Sequence, residues 1–469
     1  MSRHGLVDEA LLDRVHHHAA EFLRALPDRH VGARATRDEL LAALRAPLGE
    51  GGEDPAKVID LLAAQGARGA IACAGPRYFG FVIGGSYPVA LAADWLTSTW
   101  DQNPGIYATS PVVSVVEDVA REWLLELFDL PRESGLGFVT GCQMANFTCL
   151  AAARHGVLRR AGWDVEAEGL MGAPRINLIT SAESHITIDV AMRYLGFGTR
   201  QLLRVETDGE GRMRPDRLRR LLDNVTGPTI ICAQAGNVNT GAFDPLREIG
   251  EIAREHGAWL HVDGAFGLWA RASRELRYLA DGIDLADSWA TDAHKWLNVP
   301  YDNGVAIVRH AADQRAAMTS TAAYLVQTQG IERDAVDWVP EFSRRARGIT
   351  VYATLRALGR TGVAHLIERC CARARQMADT LRRAPGVAVL TDVVSNQVLV
   401  RFGDDDELTR RVVTGVQQDG TCWLGGTTWQ EKAAMRISVS NWATTEEDAA
   451  RSAEAILRVF ANITAPVAS

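Results

Sequence analysis

The chain has 469 residues, of which 47% are hydrophobic and 23% charged. That is enough for two or three domains around a large core, and it excludes both a disulfide-stapled module and a disordered chain. Lys and Arg number 50 against 58 Asp and Glu, for a net charge of −8. With no block of like charge along the sequence, a nucleic-acid-binding surface is not expected. The seven cysteines are an odd number without a CxxC pair, which suits reduced thiols and not a disulfide framework or zinc site. Residues 1–9 hold no apolar core of a secretion signal, and no stretch reaches the roughly 18 apolar residues of a membrane span. The expectation is a cytoplasmic enzyme with no membrane or nucleic-acid partner.

In chain order, residues 1–75 read as helices. Apolar residues at helical spacing run from 7 to 25 and stop at Pro27, Thr36 and Glu39 form a capping box, and a third helix runs to about Gln65. His16, His17 and His18 point three ways from one helix and read as a solvated stretch. From residue 76, short β-rich runs at 137–140, 176–180, 229–235, 259–262 and 304–309 alternate with helical segments. That pattern predicts an α/β fold with a mostly parallel sheet, in a large domain spanning 76–345. A long helix at 363–383, a strand at 396–402, another helix and a strand at 435–439 predict a smaller α+β domain over 346–469.

Ligands of such sheets bind beyond the carboxyl ends of the strands, and four segments there carry chemistry. Thr140-Gly141-Cys142-Gln143-Met144-Ala145-Asn146 is a glycine turn between a strand and a helix, with backbone amides suited to a phosphate. Ser184-His185 follows the strand at 176–180. In His261-Val262-Asp263-Gly264-Ala265 a carboxylate closes an apolar strand, and the small residues after it leave space for a flat group. Thr291-Asp292-Ala293-His294-Lys295-Trp296 places a lysine among apolar neighbours, where desolvation lowers its pKa and makes it a nucleophile toward carbonyls. Each segment alone has a structural explanation. Together they supply what pyridoxal phosphate requires: a Schiff-base lysine, an acid for the ring nitrogen, an anion site and a planar side chain for the ring.

On these motifs, with Arg77 to Phe81, Ser110-Pro111, Gly241 to Pro245 and Met435 to Ser438, the chain resembles the pyridoxal-phosphate-dependent group II amino acid decarboxylases, the family of aromatic-L-amino-acid, glutamate and tyrosine decarboxylases. The resemblance implies fold type I, the aspartate-aminotransferase-like architecture with a seven-stranded sheet in the large domain. It also implies a homodimer with active sites at the interface, and an N-terminal helical segment packed on the partner. By position, Lys295 would carry the cofactor, Asp263 would hold the ring nitrogen protonated, and His185 and Ala265 would flank the ring. Gly141, Cys142, Gln143 and His294 would bind phosphate, and Asn237 would approach the ring oxygen. Phe79, Phe81, Trp100 and Tyr107 would line the substrate pocket, favouring an aromatic or large apolar L-amino acid.

The implied reaction is decarboxylation through an external aldimine and a quinonoid. One departure bears on the outcome: the loop at about 327–347, where the family usually places a proton-donating tyrosine, contains none, and Tyr324 lies too early. Oxidative deamination, a retro-aldol C–C cleavage and transamination on the same fold therefore remain alternatives. A metalloenzyme built on His185, His261, Asp263 and His294 is the competing class, and it lacks any recognised metal-ligand spacing.

Overall fold

The computed structural model describes residues 8–319 and 332–466. The chain begins with three helices, α1 (Glu9–Ala25), α2 (Arg37–Leu44) and α3 (Pro55–Gly69). Each start is fixed by a side chain that takes an otherwise orphan amide. Asp8 accepts from the Leu11 N–H at 3.0 Å and Asp54 from the Ala56 N–H at 2.9 Å, while Thr36 and Glu39 close the capping box seen in the sequence. None of the three helices contains a fully buried residue. Their apolar residues Leu12, Leu23, Val58, Leu61 and Leu62 stay exposed, so the face that helical spacing creates is only partly covered within this chain.

Helices α4 (Pro88–Trp100) and α5 (Pro111–Phe128), each opened by a proline, lead into the large sheet. Its strands are β1 (Gly135–Val139), β2 (Asn177–Ser181), β3 (Leu202–Val205), β4 (Thr229–Gln234), β5 (Trp259–Asp263), β6 (Ser288–Asp292) and β7 (Gly304–Val308), in the order β1-β7-β6-β5-β4-β2-β3. β7 runs antiparallel to both its neighbours, and β6, β5, β4, β2 and β3 are mutually parallel. Every residue of β1, β4, β5, β6 and β7 is buried, as expected of strands covered on both faces. On one side Ala145, Cys149 and Leu150 of α6 (Cys142–Arg160) pack with Trp259; on the other, Leu124 and Leu125 of α5 pack with Trp269 and Leu246.

The Gly348–Arg382 helix joins this sheet to a second one and is interrupted at Gly359, whose φ of 60° glycine adopts without steric cost. The second sheet is antiparallel, with β8 (Val387–Val389), β9 (Gln397–Phe402), β10 (Gly425–Trp429) and β11 (Lys432–Ser438) in the order β10-β11-β9-β8. An upstream segment is stitched to it: the Phe79 N–H donates to Trp423 O at 2.7 Å and the Ser438 N–H to Phe79 O at 2.9 Å, while Tyr78 stacks on Trp423. Among the described residues no helix is long and apolar enough to cross a membrane. All seven cysteines are free, six of them buried.

Candidate active site

The carboxyl ends of β1, β2, β4, β5 and β6 open on one edge of the large sheet, where Gly304 at the start of β7 pairs with both Val139 and Asp292. A methyl group on Gly304 would come within 2.5 Å of the Gly141 backbone. The glycine therefore lets the start of α6 lie directly against β7. Gly141 is the N-cap of α6 and provides no side-chain cap. The Cys142 N–H donates instead to Asp292 Oδ1 at 2.6 Å, across from the end of β6. The next two amides, of Gln143 and Met144, meet no acceptor among the described residues.

Asp263 ends β5 and is 4% exposed. Its Oδ1 accepts from the Ala265 N–H at 3.0 Å and faces the Cys142 thiol at 3.4 Å; Oδ2 accepts from Asn146 Nδ2 at 3.1 Å. All three donors are neutral, so the carboxylate has hydrogen bonds but no bonded cation. Burial, with Asp263 and Asp292 adding to it, holds the Cys142 thiol well above its ordinary pKa, which leaves it a donor and not a nucleophile.

Asn146 lies at the centre of an oriented chain of hydrogen bonds. Trp259 Nε1 donates to Ser288 Oγ at 2.9 Å, and Ser288 Oγ lies 2.9 Å from His261 Nδ1; His261 Nε2 lies 2.9 Å from Asn146 Oδ1. Because Asn146 Oδ1 can only accept, His261 carries its ring proton on Nε2. Burial pushes its pKa down to about 4, so the ring is neutral. Asn146 Nδ2 then donates to Asp263 and, at 3.3 Å, to Thr187 Oγ1, which is bonded to His185 Nδ1 at 2.9 Å. His185 caps the Ile186–Tyr194 helix by accepting the Thr187 N–H on that same nitrogen, which puts its ring proton on Nε2. Burial holds the His185 pKa below its ordinary value against the pull of Asp263.

The chain has three lysines, at 57, 295 and 432. Lys57 and Lys432 are exposed, whereas the Lys295 side chain is 18% exposed and its Nζ sits 3.0 Å from Asp292 Oδ2. Desolvation was expected to lower the pKa of this lysine. Burial does pull it down, but the Asp292 carboxylate, by charge and hydrogen bond and helped by Asp263, more than offsets that, and the group titrates above its ordinary value. The partner three residues upstream reverses the sign. Gly84 packs on the Lys295 carbonyl so closely that a methyl group there would overlap it. His294 Nδ1 accepts the Asn303 N–H at 3.1 Å, its Nε2 lies 3.4 Å from Asp292 Oδ1, and Tyr301 covers its ring at 4.3 Å.

The structure thus brings Lys295, Asp263, His185, His294, Gly141, Cys142 and Ala265 to one sheet edge. Gln143 is exposed at the same helix start. Asn237 is buried after β4, but its side chain is committed to its own turn: Oδ1 accepts the amides of Asn239 and Thr240, and Nδ2 donates to Glu183 O. Of the four aromatics, Phe79 is in the hydrophobic core, Phe81 and Trp100 are exposed, and Tyr107 is half-buried with its amide on Asp334. No hydrogen bond or ring contact joins any of them to Lys295, Asp263 or His185. Residues 320–331, with Tyr324 and the first part of the tyrosine-free loop, lie outside the described residues. No group of three or more His, Cys, Asp and Glu among the described residues is placed to hold a metal, and His261 spends both ring nitrogens on Ser288 and Asn146. Asn146 and Asp292, both inside the sequence motifs, are site residues that the sequence reading does not assign. The signal was available: each is a polar residue between apolar ones in a segment that must be buried.

These residues fit pyridoxal phosphate on the chemistry of their donors. A buried amine and a buried carboxylate lacking a bonded cation suit the aldehyde and the ring nitrogen, and two unspent amides at a helix start suit the phosphate. The model of the pyridoxal-dependent decarboxylase conserved domain matches residues 67–402. The acidic amino acid decarboxylase GADL1 of Mus musculus is 32% identical over 325 residues, a match covering 68% of this chain and 58% of that protein, so the chain spans less than two thirds of that relative's length. The aromatic-L-amino-acid decarboxylase of Bacillus atrophaeus is 26% identical over 443 residues, 91% of this chain and 90% of that one. Among solved structures, Oryza sativa TDC with PLP and tryptamine has the same fold, with a TM-score of 0.91 at 22% identity over 98% of this chain and 99% of that one. Fold type I, the order of the site residues along the chain and a family match across most of the sequence lead to one conclusion: this chain belongs to the pyridoxal-dependent decarboxylases.

Proposed function

We propose that the chain is a pyridoxal-phosphate-dependent decarboxylase of an aromatic or large apolar L-amino acid, acting in the cytoplasm as a homodimer with its active sites at the interface. The observation that carries this reading is the continuous contact from Lys295 through Asp292 and Cys142 to Asp263. It puts an amine and an electrostatically hungry carboxylate in one buried cluster.

When bound, the cofactor supplies an aldehyde for an amine and a ring that accepts electrons released at the substrate α-carbon. Lys295 provides the amine that holds it. Asp263, fed by neutral donors, favours a proton on the ring nitrogen, since a buried carboxylate gains most from a cationic partner. His185 offers a flat neutral ring whose Nε2–H is available to move a proton, and Ala265 leaves room on the opposite side. The amides of Gln143 and Met144 with His294 would receive the phosphate, and Gly141 would permit the close approach. Arg436 in β11 is half-buried, has no carboxylate partner among the described residues, and is close enough to depress the His185 pKa. It is the cation left to receive a substrate carboxylate.

The aromatic preference draws on the Bacillus atrophaeus relative, which spans nearly the whole chain. It also draws on Phe81 and Trp100, which with Phe79 and Tyr107 belong to the segment assigned to the pocket. Exposed Leu12, Leu62, Trp95, Leu96, Val112 and Val115 on α1, α3, α4 and α5 support a partner subunit over those faces. A panel of L-amino acids assayed for CO2, amine, aldehyde and oxygen uptake tests the proposal. Equal amounts of CO2 and amine from an aromatic substrate are expected. Turnover of acidic substrates alone would overturn the substrate class, and aldehyde with oxygen uptake would replace decarboxylation by oxidative deamination.

A further inference from the structure

Five hydrogen bonds join Trp259, at the buried start of β5, to His185 at the carboxyl edge of the sheet, and all five run one way. Trp259 Nε1, which cannot accept, donates to Ser288 Oγ at 2.9 Å. Ser288 then has its own proton for His261 Nδ1 at 2.9 Å, and His261 Nε2 donates to Asn146 Oδ1 at 2.9 Å. Asn146 turns the chain toward the site, because its amide protons have two acceptors, Asp263 Oδ2 at 3.1 Å and Thr187 Oγ1 at 3.3 Å. Trp259, Ser288, His261 and Asn146 are completely buried, so bulk water does not compete for these bonds. Thr187 is half-buried at the start of the Ile186–Tyr194 helix. With its oxygen accepting from Asn146, its hydroxyl proton has one acceptor in range among the described residues, His185 Nδ1 at 2.9 Å.

We propose that Thr187 is a positioning residue: its hydroxyl, donating to Nδ1, holds the His185 ring in the tautomer that carries its proton on Nε2. This role deepens the proposed use of His185 in moving a proton and rests on it. His185 Nε2 has no partner among the described residues, so its N–H is left for a group bound in the site. With the proton on Nδ1 instead, the ring would point an N–H at the Thr187 amide, 3.4 Å away. The Thr187 hydroxyl would then lose its acceptor, and a bare Nε2 could take a proton but not supply one. The amide bond to Nδ1 is the longer of the two, which makes the hydroxyl the stronger anchor. His185 lies outside the sheet, yet its protonation pattern is set by a chain of bonds that begins in the core.

The test uses the full chain with isotope-labelled histidine, whose ring nitrogens report by NMR shift whether each carries a proton and whether a bare one accepts a hydrogen bond. The signals lost in His185→Gln identify His185. In the wild type Nε2 should carry the proton and Nδ1 should show the shift of a hydrogen-bonded acceptor. Thr187→Val, which keeps the shape without the hydroxyl, should move Nδ1 toward the value of a free ring nitrogen, and Thr187→Ser should restore it. A wild-type ring protonated on Nδ1 overturns the inference even if Thr187→Val fails to fold, and a folded Thr187→Val with unchanged shifts overturns it as well. On the amino acid that releases CO2, Thr187→Val should lower kcat about tenfold, roughly one lost hydrogen bond, with KM within about twofold, and Thr187→Ser should recover the loss. An unchanged kcat in Thr187→Val would overturn the positioning role. The shifts are read without substrate, so a chain that releases CO2 from no amino acid refutes the decarboxylase reading, and the role of Thr187 in catalysis with it, while the tautomer is still decided by the spectrum.

Discussion

Removing the Asn146 side chain should cost more than its size suggests. Asn146 is completely buried and makes three side-chain hydrogen bonds, to His261 Nε2, Asp263 Oδ2 and Thr187 Oγ1. Asn146→Ala strands the His261 Nε2–H and one carboxylate oxygen of Asp263 where water does not reach. At about 1–3 kcal/mol for each buried group left unpaired, with the charged one near the upper end, the loss is about 4 kcal/mol. Thr148→Ala on the same helix is the control: its hydroxyl donates only to Met144 O, one turn back, and should cost about 1 kcal/mol. Urea unfolding followed by tryptophan emission compares the two, Trp259 and Trp289 being buried near this network. A loss in Asn146→Ala no larger than in Thr148→Ala would refute the oriented relay, because a loose, water-filled site tolerates truncation.

Two further outcomes follow from the same geometry. His261 titrates near 4 in the folded chain and near 6.5 when unfolded, so the unfolded state binds the proton first. Its contribution to stability is complete above pH 6.5, falls as pH drops toward 4 by about 3 kcal/mol, and is flat below. Between those limits the wild type should lose stability more steeply than His261→Asn by close to one proton, and equal slopes would contradict a neutral buried ring. Gly304→Ala places a methyl group 2.5 Å from Gly141 and should push the start of α6 off β7. Roughly 2 kcal/mol of stability and several-fold of cofactor affinity should be lost together, and affinity equal to wild type would show that this contact does not shape the site.

Much of the architecture is legible in the sequence. The apolar runs of β1, β2, β4, β5 and β7 have no other use in a chain of this composition, and the Thr36 to Glu39 box fixes α2 to the residue. β3 and β6 are not legible, for different reasons. Leu202–Val205 is a four-residue edge strand with half its residues accessible, so its pattern is weak. Ser288–Asp292 is central but polar: Ser288 is buried because it bridges Trp259 and His261, and Asp292 because it caps α6 and pairs with Lys295. Burial of those groups is a tertiary effect without a periodic signature. The sign of the Lys295 shift is hidden for the same reason, since the carboxylate one helical turn away sets it. Position along the chain identifies Asp263, His185 and Lys295 as candidates, but the relay through Asn146 depends on α6 crossing β5, which only the fold supplies.

The central claim is that Lys295 holds the cofactor beside Asp263. With only three lysines in the chain, borohydride reduction of protein loaded with pyridoxal phosphate, followed by peptide mass mapping, tests it directly. One phosphopyridoxyl group on the peptide containing Lys295 is the predicted result, with Lys57 and Lys432 unlabelled and the label lost in Lys295→Ala. Labelling of Lys57 or Lys432 in place of Lys295, or an unlabelled chain, would contradict the account.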